Sequence, residues 1–242
     1  MPSPEDVQVP SNQSTQPTST AQSVLNPLAA HPVYPDSAAT SEQAQDQDAS
    51  RGQPAAAAPP STELASAKMT LKSALRHFMD FPIKGIDFVD IMPLFHDVAV
   101  HHTLHTALHL QSQESFASKP DIIVGLDARG FLFGPGLALR LGVSFAPVRK
   151  KGKLPGPCVT ASYEKEYGTD FFQMQSDAIK PGQKVLIVDD IIATGGSAAA
   201  AADLVSQMQG DVIGYLFLLQ IEGLNGREKL GEIPSVIMLE DV

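Results

Sequence analysis

The chain has 242 residues, with 17 basic against 27 acidic side chains, a net charge of −10 and a single cysteine, Cys158. One cysteine excludes an intramolecular disulfide and fits a reducing compartment. The negative balance argues against nucleic acid as a partner, and no apolar run approaches membrane-spanning length.

Residues 1–67 carry ten of the nineteen prolines, no Phe, and one basic residue, Arg51, against seven acids, so −6 of the net charge lies there. Such a segment buries too little apolar surface to offset its ordering entropy and is expected to be a disordered acidic tail. It has neither the Arg-rich, acid-poor make-up of a transit peptide nor the apolar core of a secretory signal, so the expected location is cytoplasmic. Residues 68–242, about 175 in number, suit one domain.

Within that domain, residues 71–79 read as a short helix. Residues 97–113 read as a longer one, with Val100, Leu104, Ala107 and Leu108 on one face. His101, His105 and His109 recur every four residues along this helix, with Asp97 a turn before. They flank the apolar stripe without a Cys or a second acid, so no metal site is assigned to them. From residue 121 the pattern alternates: strands at 121–125 and 143–148 around a helix at 133–141, then strands at 185–188, 212–220 and 236–240 with a helix at 197–208. Alternating strands and helices imply an α/β fold with a mostly parallel sheet covered on both faces. The five alanines from Ala198 to Ala202 suit a helix packed closely on that sheet.

The chemistry gathers at one sheet edge. Strand 185–188 delivers Asp189 and Asp190 to its carboxyl end, where open parallel sheets bind ligands. Two adjacent carboxylates repel each other and satisfy no core, but they accept hydrogen bonds from vicinal hydroxyls. After Ile191, Ile192 and Ala193, the turn Thr194, Gly195, Gly196, Ser197 offers backbone N–H groups, two hydroxyls and a helix N-terminus, a fit for a phosphate monoester. There is no G-x-x-x-x-G-K-S/T motif, and Gly130, Gly134 and Gly136 do not have dinucleotide-fingerprint spacing. Asp127, Ala128 and Arg129 follow strand 121–125 at the same edge, and the planar fork of Arg129 matches phosphate oxygens. Arg149, Lys150, Lys151 and Lys153 open a long segment, 150–171, broken by Gly152, Pro155, Gly156, Pro157 and Gly168. A loop of that length reads as a lid, and a basic lid suits an anionic substrate that must be kept from water.

Val185 to Ser197, VLIVDDIIATGGS, resembles the phosphoribosyl-diphosphate (PRPP) signature of the type I phosphoribosyltransferases. GLDARGFLFGPGLA from Gly125, RKKGKLPGP from Arg149, SYEKEYG from Ser162 and GREKL from Gly226 resemble the adenine-specific branch of that family. The likeness runs from about Met69 to the C-terminus. It implies a twisted, mostly parallel sheet with a small hood over the base site and a flexible lid loop. It also implies conversion of adenine and PRPP to AMP and pyrophosphate in purine salvage, by a cytoplasmic homodimer with no nucleic-acid or membrane partner.

By the same resemblance PRPP and AMP would be held by Asp189, Asp190, Ala193, Thr194, Gly195, Gly196 and Ser197, and by Asp127, Ala128, Arg129, Arg149, Lys150, Lys153 and Tyr167. A cis peptide would join Asp127 to Ala128. Glu166 would be the general acid/base, with Arg129 clamping the leaving pyrophosphate. Phe88 would stack on adenine beside Ile86 and Val89, with Ile191 and Ile221 closing the pocket. Magnesium would be bound mainly through PRPP and water, with no protein ligand. Three positions depart from the family pattern: Lys84 where Pro is frequent, Val89 where many members carry Arg, and Ser197 where Thr is usual. The alternatives are an enzyme for another purine base and a weakly active regulatory paralogue that binds PRPP or nucleotide.

Overall fold

The computed structural model describes residues 60–81, 83–165 and 168–242. Residues 1–59 of the expected tail, and the expected site residues Glu166 and Tyr167, lie outside them. The first helix, α1, spans Pro60–Ala74 and so begins ahead of the boundary expected at residue 68. Leu64, Ala67, Leu71 and Leu75 recur at three- and four-residue spacing and are buried. The first two residues of this helical period, Leu64 and Ala67, lie inside a stretch whose average composition is that of a disordered chain.

Residues 76–79 were expected to extend a helix but form a strand, β1 (Arg76–Met79), pairing antiparallel with β2 (Asp87–Asp90). The turn between them is closed where Gly85 N donates to Asp80 Oδ1 at 2.7 Å, and Arg76 reaches Asp90 at 2.7 Å across the pair. All four β1 residues are exposed, so the strand carries no burial pattern for a sequence reading to detect. A one-turn helix α2 (Pro93–His96) leads into α3 (Val98–Ser115). Asp97, expected as the first residue of that helix, is instead its N-cap, accepting from Ala99 N at 2.8 Å and Val100 N at 3.0 Å.

Next come β3 (Ile122–Leu126), a 3-10 turn (Arg129–Leu132), α4 (Gly134–Leu141) and β4 (Ser144–Lys150). β7 (Lys184–Ile192), α5 (Gly196–Gln207), β8 (Asp211–Gln220), a second 3-10 turn (Gly226–Leu230) and β9 (Ser235–Ile237) complete the parallel region. Between β4 and β7 the expected lid loop is largely strand: β5 (Cys158–Lys165) and β6 (Gly168–Gln175) form an antiparallel arm. The signal was present as period-two burial. Ala161, Phe172 and Met174 are buried while their neighbours Ser162, Phe171 and Gln173 are not, but Thr, Ser, Glu and Lys between them masked the alternation.

One sheet runs β5-β6-β4-β3-β7-β8-β9, parallel from β4 to β9. Alternation sorts its side chains into two cores. Ile123, Leu186, Val188, Leu216 and Leu218 pack with α1, α3 and α4. Ile122, Val124, Val185, Ile187, Tyr215 and Phe217 pack on the other face with α5, including Ala198, Ala200 and Ala201 of its alanine run. The parallel sheet covered on both faces is thus as expected.

Candidate active site

The site is built by a difference in strand length. β3 stays in register with β7 only as far as Gly125 opposite Val188, whereas β7 continues along β8, with Asp189 opposite Phe217 and Ile191 opposite Leu219. Asp189 and Asp190 therefore lie inside the last part of β7, not after its end as expected, but still beyond the point where β3 turns away. That turn starts with a cis peptide between Asp127 and Ala128, as the resemblance implied. Gly130 follows at close quarters: a Cβ there would lie 2.8 Å from Val188 O and 3.3 Å from Asp189 Oδ1.

A cleft of about 1000 Å³ opens over these acids. It is lined by Asp127, Ala128, Arg129 and Lys150, by Asp189, Asp190 and Ile191 of β7, and by Ala193 through Ser197. Gly195 is left-handed at φ 76° and stands as the N-cap of α5 without a side-chain cap, so no side chain caps the helix's first N–H groups, and Gly195, Gly196 and Ser197 line the cleft. Arg129 Nε meets Asp190 Oδ2 at 2.6 Å, and Asp190 is 4% exposed. Arg149 does not line the cleft. It braces it, donating to Asp127 Oδ2 at 3.2 Å and to Lys153 O at 3.2 Å, so Lys153 enters through its carbonyl. Burial pushes the Asp189 carboxyl well above the usual carboxylate range, and the neighbouring Asp190 charge pushes it further. Asp190 is also raised by burial, opposed by Arg129.

The structure does not bring all the expected base-site residues together here. Of the five, only Ile191 lines this cleft. Ile221, 45% exposed, lines a smaller pocket of about 210 Å³ that adjoins at Ile192 and Ala193. Phe88 lies in the β1–β2 hairpin, edge-on to Phe81 at 5.1 Å; Val89 packs against the core, and Ile86 is exposed. The hairpin is a separate two-stranded sheet, so nothing in the main sheet's register fixes these three against the acids.

Sequence reasoning missed several cleft residues. Tyr163 and Phe172 come from the arm, stacked at 4.5 Å; Ile192, Ala198 and Phe217 fill the wall; Lys229 comes from the second 3-10 turn. The arm pair was hidden by the loop assignment, and Lys229 lies in a motif recognised only as a string. Elsewhere, His105 packs on Gly136, where a Cβ would come within 2.1 Å of its ring, and its Nε2 lies 3.2 Å from that of His101. Among the described residues no three His, Cys, Asp or Glu side chains are grouped to hold a metal ion.

Paired strand-end acids, a phosphate-binding turn and a clamping arginine on one parallel sheet define a type I phosphoribosyltransferase. The phosphoribosyl transferase domain family matches residues 103–229. The chain is 56% identical over 161 residues to adenine phosphoribosyltransferase of Yarrowia lipolytica, covering 66% of this chain and 88% of that one. It is 52% identical over 168 residues to adenine phosphoribosyltransferase 1 of Saccharomyces cerevisiae, covering 69% and 90%. The crystal structure of the Saccharomyces cerevisiae enzyme complexed with D-2,5-dideoxy-2,5-imino-altritol 1,6-bisphosphate and adenine superposes with a TM-score of 0.67 at 50% identity, covering 72% of this chain and 99% of that one. The chain belongs to the adenine phosphoribosyltransferases.

Proposed function

We propose that this enzyme converts adenine and PRPP to AMP and pyrophosphate. The observation that carries the reading is the single cleft in which Asp189 and Asp190, the Thr194 to Ser197 turn and Arg129 converge. The reaction substitutes adenine for pyrophosphate at C1 of ribose, through a transition state with oxocarbenium-like charge, as in glycoside cleavage. The turn and the N-terminus of α5 hold the 5-phosphate, and the two aspartates hold the ribose hydroxyls. The negative field of the acids favours the developing cation. Arg129, which lines the same cleft, receives the charge of the leaving pyrophosphate, with Lys150 as a further cation of the lining.

The pairing of Arg129 with Asp190 holds the two groups in a fixed relation within the cleft. The two adjacent carboxylates are hard oxygen donors too few to cage a cation alone, which fits magnesium held mainly by PRPP and water. That ion supplies charge neutralisation of the diphosphate. Glu166, outside the described residues, is assigned as the acid/base that exchanges a proton with the purine. Following the family, the working form is taken as a cytoplasmic homodimer, a state sedimentation velocity would test. No helix among the described residues is long and apolar enough to cross a membrane.

A steady-state assay with PRPP, magnesium and adenine, hypoxanthine, guanine or xanthine in turn tests the reading. AMP formed from adenine alone upholds it; turnover of another base changes the substrate, and nucleotide binding without any product favours a regulatory paralogue. Glu166→Gln is expected to cut turnover far more than PRPP affinity.

A further inference from the structure

The second 3-10 turn, Gly226–Leu230, is fitted to the phosphate turn by backbone contact. A Cβ on Gly195 would lie 2.1 Å from Gly226 O, and a Cβ on Gly226 would lie 2.2 Å from Ala193 O. Neither position admits a side chain, so Gly226 and Gly195 press main chain against main chain. The rest of the segment is anchored away from the cleft. Arg227 donates from Nε to Ser235 Oγ and from Nη2 to Ser235 O, both at 2.9 Å, and Leu230 is buried in the core beside α5.

In a 3-10 helix residues three apart eclipse one another. Lys229 therefore stands on the same face as Gly226, one turn further along, and it lines the cleft that contains Thr194 through Ser197. Of the other cleft cations, Arg129 is paired with Asp190, while Lys150, unpaired like Lys229 among the described residues, ends β4 and does not belong to the segment that packs on Gly195. Among the described residues Lys229 has no acidic partner within ion-pair distance.

We propose that Lys229, held in place by the Gly226 contact, is a binding residue for the 5-phosphate of PRPP and AMP and sets the site's preference for phosphorylated over unphosphorylated ribosides. This rests on the phosphoribosyl transfer reading above. The phosphate turn supplies N–H groups and hydroxyls but no full charge, and a dianion held by neutral donors alone leaves most of its charge uncompensated. A lysine provides that charge without the bidentate geometry of an arginine.

The test is Lys229→Met in the full chain, beside Lys229→Arg. A charged hydrogen bond of this kind accounts for about tenfold or more in affinity. Lys229→Met is expected to raise KM for PRPP about tenfold or more, leave KM for adenine and kcat within about threefold, and be rescued substantially by Arg. In calorimetry the AMP-over-adenosine preference should shrink by the same factor. Unchanged AMP affinity in Lys229→Met, with the wild-type chain binding AMP over adenosine, overturns the proposal. If the wild-type chain makes no AMP, the reaction assigned above fails while the calorimetric comparison still decides the role of Lys229.

Discussion

At the scale of single residues, the site holds charge where burial disfavours it. Both Asp189 and Asp190 have their carboxyls raised by burial, so their ionised forms oppose folding at neutral pH. The sign follows from linkage: a carboxyl whose folded-state value is raised costs stability above that value, and the cost disappears once both states are protonated. Asp189→Asn is therefore expected to melt at a higher temperature than wild type at pH 7 to 8, with the advantage fading as pH falls towards the ordinary carboxylate range near 3.8. Its activity should fall by orders of magnitude. Melting curves at several pH values, beside an assay, check both halves, and an unchanged or lower melting temperature at pH 8 counts against buried charge at this position.

Gly195 works in the opposite sense. Its φ of 76° and the 2.1 Å approach of Gly226 O to any added Cβ leave no room for Ala. The left-handed conformation alone costs a non-glycine residue about 1 kcal/mol or more. Gly195→Ala is expected to displace the phosphate turn and lose most PRPP affinity, measurable by calorimetry with PRPP.

At the scale of elements, α3 carries a pH response unrelated to catalysis. His105 is pushed down to about 4, first by burial and then by His101, Arg140 and His102 around it. It also touches Gly136 of α4. The folded state keeps this ring neutral while the unfolded chain protonates near 6.5, so stability from this source is full above pH 6.5 and declines as pH falls towards about 4. His105→Gln should flatten that decline in denaturant titrations between pH 7 and 4.5; an identical slope would assign the acid sensitivity to other groups. On α1, Leu71 is fully buried at the centre of the 64, 67, 71, 75 stripe. Leu71→Ala is expected to cost about 2–5 kcal/mol in urea unfolding, with substrate KM values little changed, because the helix packs against α3 and none of its residues lines the cleft.

At the scale of the whole molecule, the function depends on two elements far apart in sequence meeting at one sheet edge. β3 and β7 are separated by about 60 residues, yet their unequal lengths set the 3-10 turn carrying Arg129 beside Asp190. The arm β5–β6 adds Tyr163 and Phe172, and the second 3-10 turn adds Lys229. A prediction at this scale concerns Arg149. Its bonds to Asp127 and to Lys153 O tie the connection between β4 and β5 to the cis-peptide turn. Arg149→Ala is expected to raise KM for PRPP several-fold while leaving the fold intact by circular dichroism, and equal kinetics would show that the tie is incidental.

The run VLIVDDIIATGGS was legible without any structure because its chemistry is local. A buried strand, two acids, a glycine turn and a helix start lie within thirteen consecutive residues, Val185 to Ser197, and each residue type has a short-range reason to be there. The same holds for the alternation that predicted a parallel sheet, since period-two and helical periods are properties of neighbouring residues. What lay beyond the sequence was whatever depends on partners distant along the chain. β1 has four exposed residues and is a strand only because β2 pairs with it. The arm is a hairpin because Phe172 and Met174 bury against α5's side of the sheet, and Lys229 faces the cleft because Gly226 can lie against Gly195. Local propensity is weak enough to be overridden by burial and pairing, and those are decided only when the whole chain closes on itself.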